Sequence, residues 1–125
     1  MKLVTRDVDP ASMRDLLERV PRACLSFASE HGPLTQPVGL IWQEDCYLVS
    51  IPKEAEYQPF SSQEVVLLVD EGVYYFDLRA IYIRGQVKNV EAFPDAPAGR
   101  KWFEVVPIKI VAWDYGTLRD VQDDR

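Results

Sequence analysis

Histidine and cysteine are almost missing from this chain. It has one histidine, His31, and two cysteines, Cys24 and Cys46, among 125 residues. One imidazole and two thiols far apart in sequence do not make a metal site, which needs about four ligands at matched spacing. No Cys-x-x-Cys is present, and each cysteine lies in an apolar, strand-like stretch. Both are therefore expected to be buried free thiols of a reducing compartment. No Gly-rich nucleotide loop and no nucleophile elbow occurs. No stretch approaches the ~18 apolar residues of a membrane span, and the N-terminus lacks the apolar run of a signal peptide. The expectation is a soluble, cytoplasmic protein with no membrane partner. Basic charge is also short: 14 Lys and Arg stand against 20 Asp and Glu, a net charge of -6, with no Lys/Arg cluster. A nucleic-acid partner, which needs a basic face, is not expected.

What is present is an ordinary globular mixture, 47% hydrophobic and 27% charged. The length fits one domain, 1–125, which buries roughly two thirds of its unfolded surface and needs no disulfide or metal. Residues 1–8 and 116–125 are expected to be flexible ends. Asp9 can cap a helix with Pro10 at its first position, where a missing N–H costs nothing. Met13, Leu16, Leu17 and Val20 then form one apolar stripe that packs on a sheet, and Pro21 ends the helix.

Beyond Pro21 the period becomes 2, which marks strands. Strands are expected at Ala23 to Ala28, Gln36 to Gln43, Cys46 to Ile51 and Glu64 to Val69. Two more follow at Tyr75 to Asn89 and Glu104 to Asp114. Ser29 to Pro33 and Glu44-Asp45 are turns. Pro37 belongs at an edge or bulge. The unbroken run Val65-Val66-Leu67-Leu68-Val69 reads as buried on both faces. In the fifth strand Ile81, Ile83 and Val87 face one way and Tyr82, Arg84, Gln86 and Lys88 the other, with a bend at Gly85. In the sixth, Val106, Ile108, Ile110 and Ala112 share a face. Phe93 to Gly99 is a turn-rich excursion. One helix followed by six strands with short connections predicts a mainly β fold, a small six-stranded antiparallel barrel whose closure removes aggregating edges.

Four segments, in order, resemble the flavin-binding split β-barrel family of pyridoxamine 5′-phosphate oxidase-like proteins. They are Pro33-Leu34-Thr35-Gln36-Pro37-Val38, Tyr47 to Lys53, Arg79 to Val87, and Val111-Ala112-Trp113-Asp114-Tyr115-Gly116. The resemblance implies a split barrel and a homodimer with cofactor sites at the subunit interface. It implies FMN, or the deazaflavin F420, and oxidoreductase activity on a small-molecule substrate. Haem is a further cofactor of some relatives. The cofactor-binding residues it implies are Ser50, Ile51, Pro52 and Lys53, where the third strand opens into the phosphate loop, and Trp113 near the flavin ring.

The loop departs from the family pattern. Lys53 is its one cation, and Glu54 and Glu56 stand about where further cations are expected. Two carboxylates beside a phosphate would each cost on the order of 1–4 kcal/mol. The alternative reading is therefore a non-catalytic split-barrel binding or structural module that has lost the phosphate grip, with no cofactor. His31 reads as a solvated turn residue. Glu54 and Glu56 read as a solvated loop edge, with an acid/base pair as the other possibility. Tyr82, Arg84, Gln86 and Lys88 read as an exposed or dimer-facing surface, the other reading being ring contacts to a flavin. Trp42 and Trp113 read as packing residues, the other reading being flavin stacking. No catalytic residue can be named. Flavin enzymes need little acid–base machinery, because the cofactor carries the hydride chemistry.

Overall fold

The computed structural model describes residues 4–91, 96–117 and 119–120. Two short strands, β1 (Val4–Thr5) and β2 (Asp7–Val8), come first. A 3-10 turn, Pro10–Met13, leads into helix α1 (Arg14–Arg19). Strands β3 (Arg22–Ser29), β4 (Gly32–Gln43), β5 (Cys46–Pro52), β6 (Glu64–Glu71), β7 (Arg79–Asn89), β8 (Arg100–Asp114) and β9 (Arg119–Asp120) complete the order. Strands β3 to β8 run β8-β5-β4-β3-β6-β7, and β7 pairs back onto β8. The result is a closed six-stranded antiparallel barrel with one N-terminal helix, the fold class the sequence predicts.

The helix starts and stops where its chemistry says. The Asp9 carboxylate accepts the Ala11 N–H at 3.0 Å, and Pro10 holds the first position. Val20 leaves the helix at φ -93, ψ 110, the extended conformation that a following proline imposes. Met13, Leu16 and Leu17 are buried against the barrel end. An ionic cluster fastens α1 to the sheet. The Arg79 guanidinium donates to both Asp15 carboxylate oxygens at 3.0 Å and to Glu71 at 2.9 Å. Arg19 donates to both oxygens of Glu71 and to Asp15. Arg79 first, then Arg19, holds the Asp15 carboxyl well below the usual carboxylate range, and Arg19 foremost lowers the Glu71 carboxyl.

The prolines of β4 occupy the half of the strand that has one neighbour. β5 covers only Gly39 to Gln43, whereas β3 pairs the full length back to Gly32. Leu40 donates its N–H to Pro21 on the β3 side. With period 2, the nitrogens of Pro33 and Pro37 point the other way, to the open edge, where no donor is needed. Glu44 and Asp45 join β4 to β5 with φ 53 and 62, the geometry of a two-residue hairpin turn.

Three expectations for the strands are corrected. First, β6 is not buried on both faces. Val65, Leu67 and Val69 are at most 1% exposed, but Val66 and Leu68 are half-buried on the outer face. An apolar outer face, not a second core, accounts for the unbroken run. Second, Tyr75 to Asp77 is a 3-10 turn outside the strand. The Asp77 carboxylate accepts the Tyr74 N–H at 2.9 Å, and this cap keeps the segment out of the ladder. Third, Val106 and Ile108 are 43% and 54% exposed. Arg84 pairs with Lys109 but Gly85 with Pro107, so β8 carries one extra residue there. That bulge switches the inward positions from Phe103 and Val105 before it to Ile110 and Ala112 after it. Gly85 is required at this point, since a Cβ there would strike the Val106 carbonyl oxygen.

The expected faces of β7 hold: Ile81, Ile83 and Val87 are buried, and Gln86 and Lys88 are exposed. The thiols do not follow expectation. Cys24 is exposed and Cys46 half-buried, because each lies on the outer parity of its strand. Burial, then the neighbouring Glu104, pushes the Cys46 thiol pKa up. At the ends, β1 pairs with β9 and β2 with β8. Of the expected flexible ends, residues 1–3, 118 and 121–125 lie outside the described residues, as do Phe93 to Asp95 of the turn-rich excursion. Among the described residues no helix is long and apolar enough to cross a membrane.

Candidate functional site

The end of β5 and the start of β8 build a cationic hollow. Register sets Ser50 opposite Trp102, Ile51 opposite Lys101 and Pro52 opposite Arg100. The Lys53 N–H donates to the Gly99 carbonyl at 3.2 Å and holds the loop to that strand end. A cavity of about 420 Å³ opens between them, with Lys53, Arg100, Lys101, Gly99, Trp102 and Val90 in its wall. Three side-chain cations meet there, and no carboxylate lines it among the described residues. That donor set fits a phosphate, which needs dispersed positive charge and N–H donors.

Arg100 is held in place by Ser50. Its Nη2 donates to the Ser50 carbonyl at 2.8 Å, and Nε and Nη2 both reach Ser50 Oγ at 3.2 Å. Ser50 is 3% exposed, so these bonds are sheltered from water. They use Nε and Nη2, and Nη1 takes no part in them. Opposite Ser50 in the ladder is Gly39. A Cβ there would sit 2.6 Å from Ser50 Oγ and 3.7 Å from Arg100 Nη2. The missing side chain of Gly39 is the space in which the Ser50–Arg100 pair forms.

The residues singled out from the sequence fall in different places. Lys53 is exposed and lines the cavity. Ser50 contacts the cavity's Arg100 rather than lining it. Ile51 is 1% exposed in the barrel core, and Pro52 is exposed at the strand end. Trp113 is at the opposite end of β8, paired with Ala80 and Asp7. It lines a separate cleft of about 300 Å³ with Tyr82, Arg84 and Lys109, its ring 6.1 Å from that of Tyr82. One subunit therefore gathers Ser50 and Lys53 but not Trp113.

Glu54 and Glu56 are exposed, and neither lines the cationic cavity; Glu56 borders a different one. His31 is an exposed turn residue whose ring meets Tyr57 edge-on at 6.2 Å. Trp42 is half-buried under the Arg14 guanidinium, 4.9 Å from its ring centroid. No cluster of metal-ligating side chains occurs among the described residues.

Sequence reasoning missed Arg100, Lys101 and Gly39. The cations sought in the loop after Ser50 come instead from a strand about fifty positions later. The pair Arg100-Lys101 directly after the turn Pro97-Ala98-Gly99 was visible, but only the β5–β8 register shows what it faces.

No protein-family model matches the chain, and no curated protein matches it. Solved structures do. An FAD-binding protein from Mycobacterium smegmatis superimposes with a TM-score of 0.70 at 15% identity, over 90% of this chain and 98% of that one. A candidate pyridoxamine 5′-phosphate oxidase from Corynebacterium glutamicum gives 0.64 at 15% identity, over 91% and 96%. An FAD and haem binding protein from Mycobacterium smegmatis gives 0.71 at 10% identity, over 95% and 78%. At such identities the likeness is one of fold. The chain is a split β-barrel of the kind shared by these FAD-binding proteins and the candidate pyridoxamine 5′-phosphate oxidase.

Proposed function

We propose that this protein binds a phosphorylated flavin, FMN or the deazaflavin F420, and acts as an oxidoreductase on a small molecule. The observation that carries the reading is the carboxylate-free hollow lined by Lys53, Arg100 and Lys101. In this reading Lys53, Lys101 and Arg100 hold the phosphate, and Ser50 aims Arg100. The Arg100–Ser50 bonds fix the guanidinium in advance, which lowers the ordering cost of binding. Glu54 and Glu56, which argued against a phosphate, do not line the hollow. The flavin would supply the hydride chemistry. The FAD-binding proteins that share the fold support a flavin as the ligand class.

The reading includes a homodimer. The register sets Pro37, Cys24, Leu68, Tyr82 and Val111 in one row across the outer face of the barrel. Leu68, Tyr82 and Val111 in that row are half-buried, a largely apolar strip suited to a second copy. In such a dimer the Tyr82–Trp113 cleft of one subunit would complete the site of the other.

The test is a titration of the purified protein with FMN and with riboflavin, followed by flavin fluorescence at fixed salt. FMN should bind more tightly than riboflavin, which has no phosphate. Lys53→Ala and Lys101→Ala should each weaken FMN by roughly ten- to a hundredfold, the value of a charge-assisted hydrogen bond, and leave riboflavin unchanged. A protein that binds neither would return the reading to a binding or structural module.

A further inference from the structure

On the other side of the β5–β6 loop lies a second cavity, of about 460 Å³. We propose that it binds an organic cation with a small apolar or aromatic body. Three rings line it, Phe27, Tyr57 and Phe60, and two carboxylates, Glu30 and Glu56. No lysine or arginine lines it among the described residues. Aromatic faces attract cations through their negative quadrupole, and more strongly once water is displaced. The carboxylates add attraction for a cation and repel an anion. Glu56 has no hydrogen-bond or ion-pair partner among the described residues, and Glu30 has only His31, 3.8 Å away.

The cavity is preformed. Gln63 is 8% exposed and uses both ends of its amide on the walls. Its Nε2 donates to the Ala28 carbonyl at 2.8 Å, and its Oε1 accepts the Phe60 N–H at 3.1 Å. The Phe60 backbone is thereby pinned while its ring stays 67% exposed beside the hollow. An apolar ring carried on a held backbone and left in water is a surface that a ligand covers at less ordering cost than one on a free loop. Gln58 forms the partition from the cationic cavity. Its Nε2 donates to the Lys53 and Ala55 carbonyls, and its Oε1 accepts Lys101 Nζ at 3.2 Å. Two adjoining hollows thus carry opposite charge preference, and the acidic one does not depend on the flavin reading.

Isothermal titration with benzyltrimethylammonium, benzyl alcohol and benzoate tests the proposal on the full chain. The cation should bind saturably and tighter than the alcohol, and benzoate should not bind. Glu56→Gln and Phe60→Ala should each weaken the cation fivefold or more. Both side chains are exposed, so the variants keep the fold, and Glu30→Gln provides a second charge variant. Lys53→Ala, which removes a phosphate ligand next door, should leave cation binding unchanged, so the two readings fail separately. Absence of cation binding overturns the proposal, as does equal binding of benzyl alcohol. An affinity untouched by both glutamate variants overturns it too.

Discussion

Arg100 and Ser50 form a sheltered fork: one guanidinium engages both the carbonyl and the hydroxyl oxygen of a serine 3% exposed. The fork ties the start of β8 to the end of β5 and sets the direction in which a cation enters the hollow. A lysine cannot reproduce it, because an ammonium is a point donor and not a planar fork.

Arg100→Lys should therefore lower stability by about 1–3 kcal/mol, the cost of leaving sheltered acceptors short of donors. In the proposed function it should also weaken FMN although the charge is kept. Chemical denaturation and the FMN titration read the two effects; unchanged values in both would mean that the fork is decorative.

Gly39→Ala reaches the same pair from the opposite strand. The new methyl would lie 2.6 Å from Ser50 Oγ, so the hydroxyl must rotate away from Arg100. The expected loss is about 1 kcal/mol for the broken hydrogen bonds, with a weaker FMN complex and little change for riboflavin. Combined with Ser50→Ala the added methyl should cost less, since its main obstacle is gone. A purely additive double variant would show that the clash lies elsewhere.

Leu67 and Leu68 are neighbours on β6 with opposite duties. Leu67 is fully buried, and Leu67→Ala should cost about 2–5 kcal/mol through lost burial and a cavity. Leu68 lies on the half-buried outer row, so Leu68→Ser should change monomer stability little. In the proposed dimer it should lower the mass seen by light scattering from twice 14.3 kDa toward 14.3 kDa at micromolar concentration. A similar loss of stability in both variants would contradict the alternation described for β6.

Acid should loosen the helix. The Asp15 and Glu71 carboxyls are held below their ordinary pKa by Arg79 and Arg19. Depressed carboxylates stabilise the fold above the ordinary value of about 4, and that contribution is lost as pH falls through the folded-state value. The thermal midpoint should thus drop between about pH 5 and pH 2. Asp15→Asn should start lower near neutral pH and fall less steeply on acidification. Parallel curves for the two proteins would remove Asp15 from the account.

Local chemistry was legible. Asp9 and Pro10 mark the helix start, and Val20-Pro21 its end, because capping and proline sterics act within a few residues. The inward face of β7 was legible because its alternation is unbroken as far as Gly85. On β8 the same reasoning failed up to the bulge: the extra residue there offsets the two halves of the strand, so Ile110 and Ala112 face in as read while Val106 and Ile108 stand outside the core. The outward thiols of Cys24 and Cys46 were missed for a related reason: an apolar strand does not say which parity faces in.

The sequence by itself determined the helix, the succession of six strands along the chain and the barrel class, since period, caps and turns act over short spans. Tertiary structure alone decided the site. Ser50 and Arg100 are fifty positions apart and meet only through the β5–β8 register, while Ser50 and Trp113, which a resemblance would join, are kept at opposite ends of the barrel. Register is a property of paired strands, set by long-range packing and by the bulge opposite Gly85, and no local pattern encodes it.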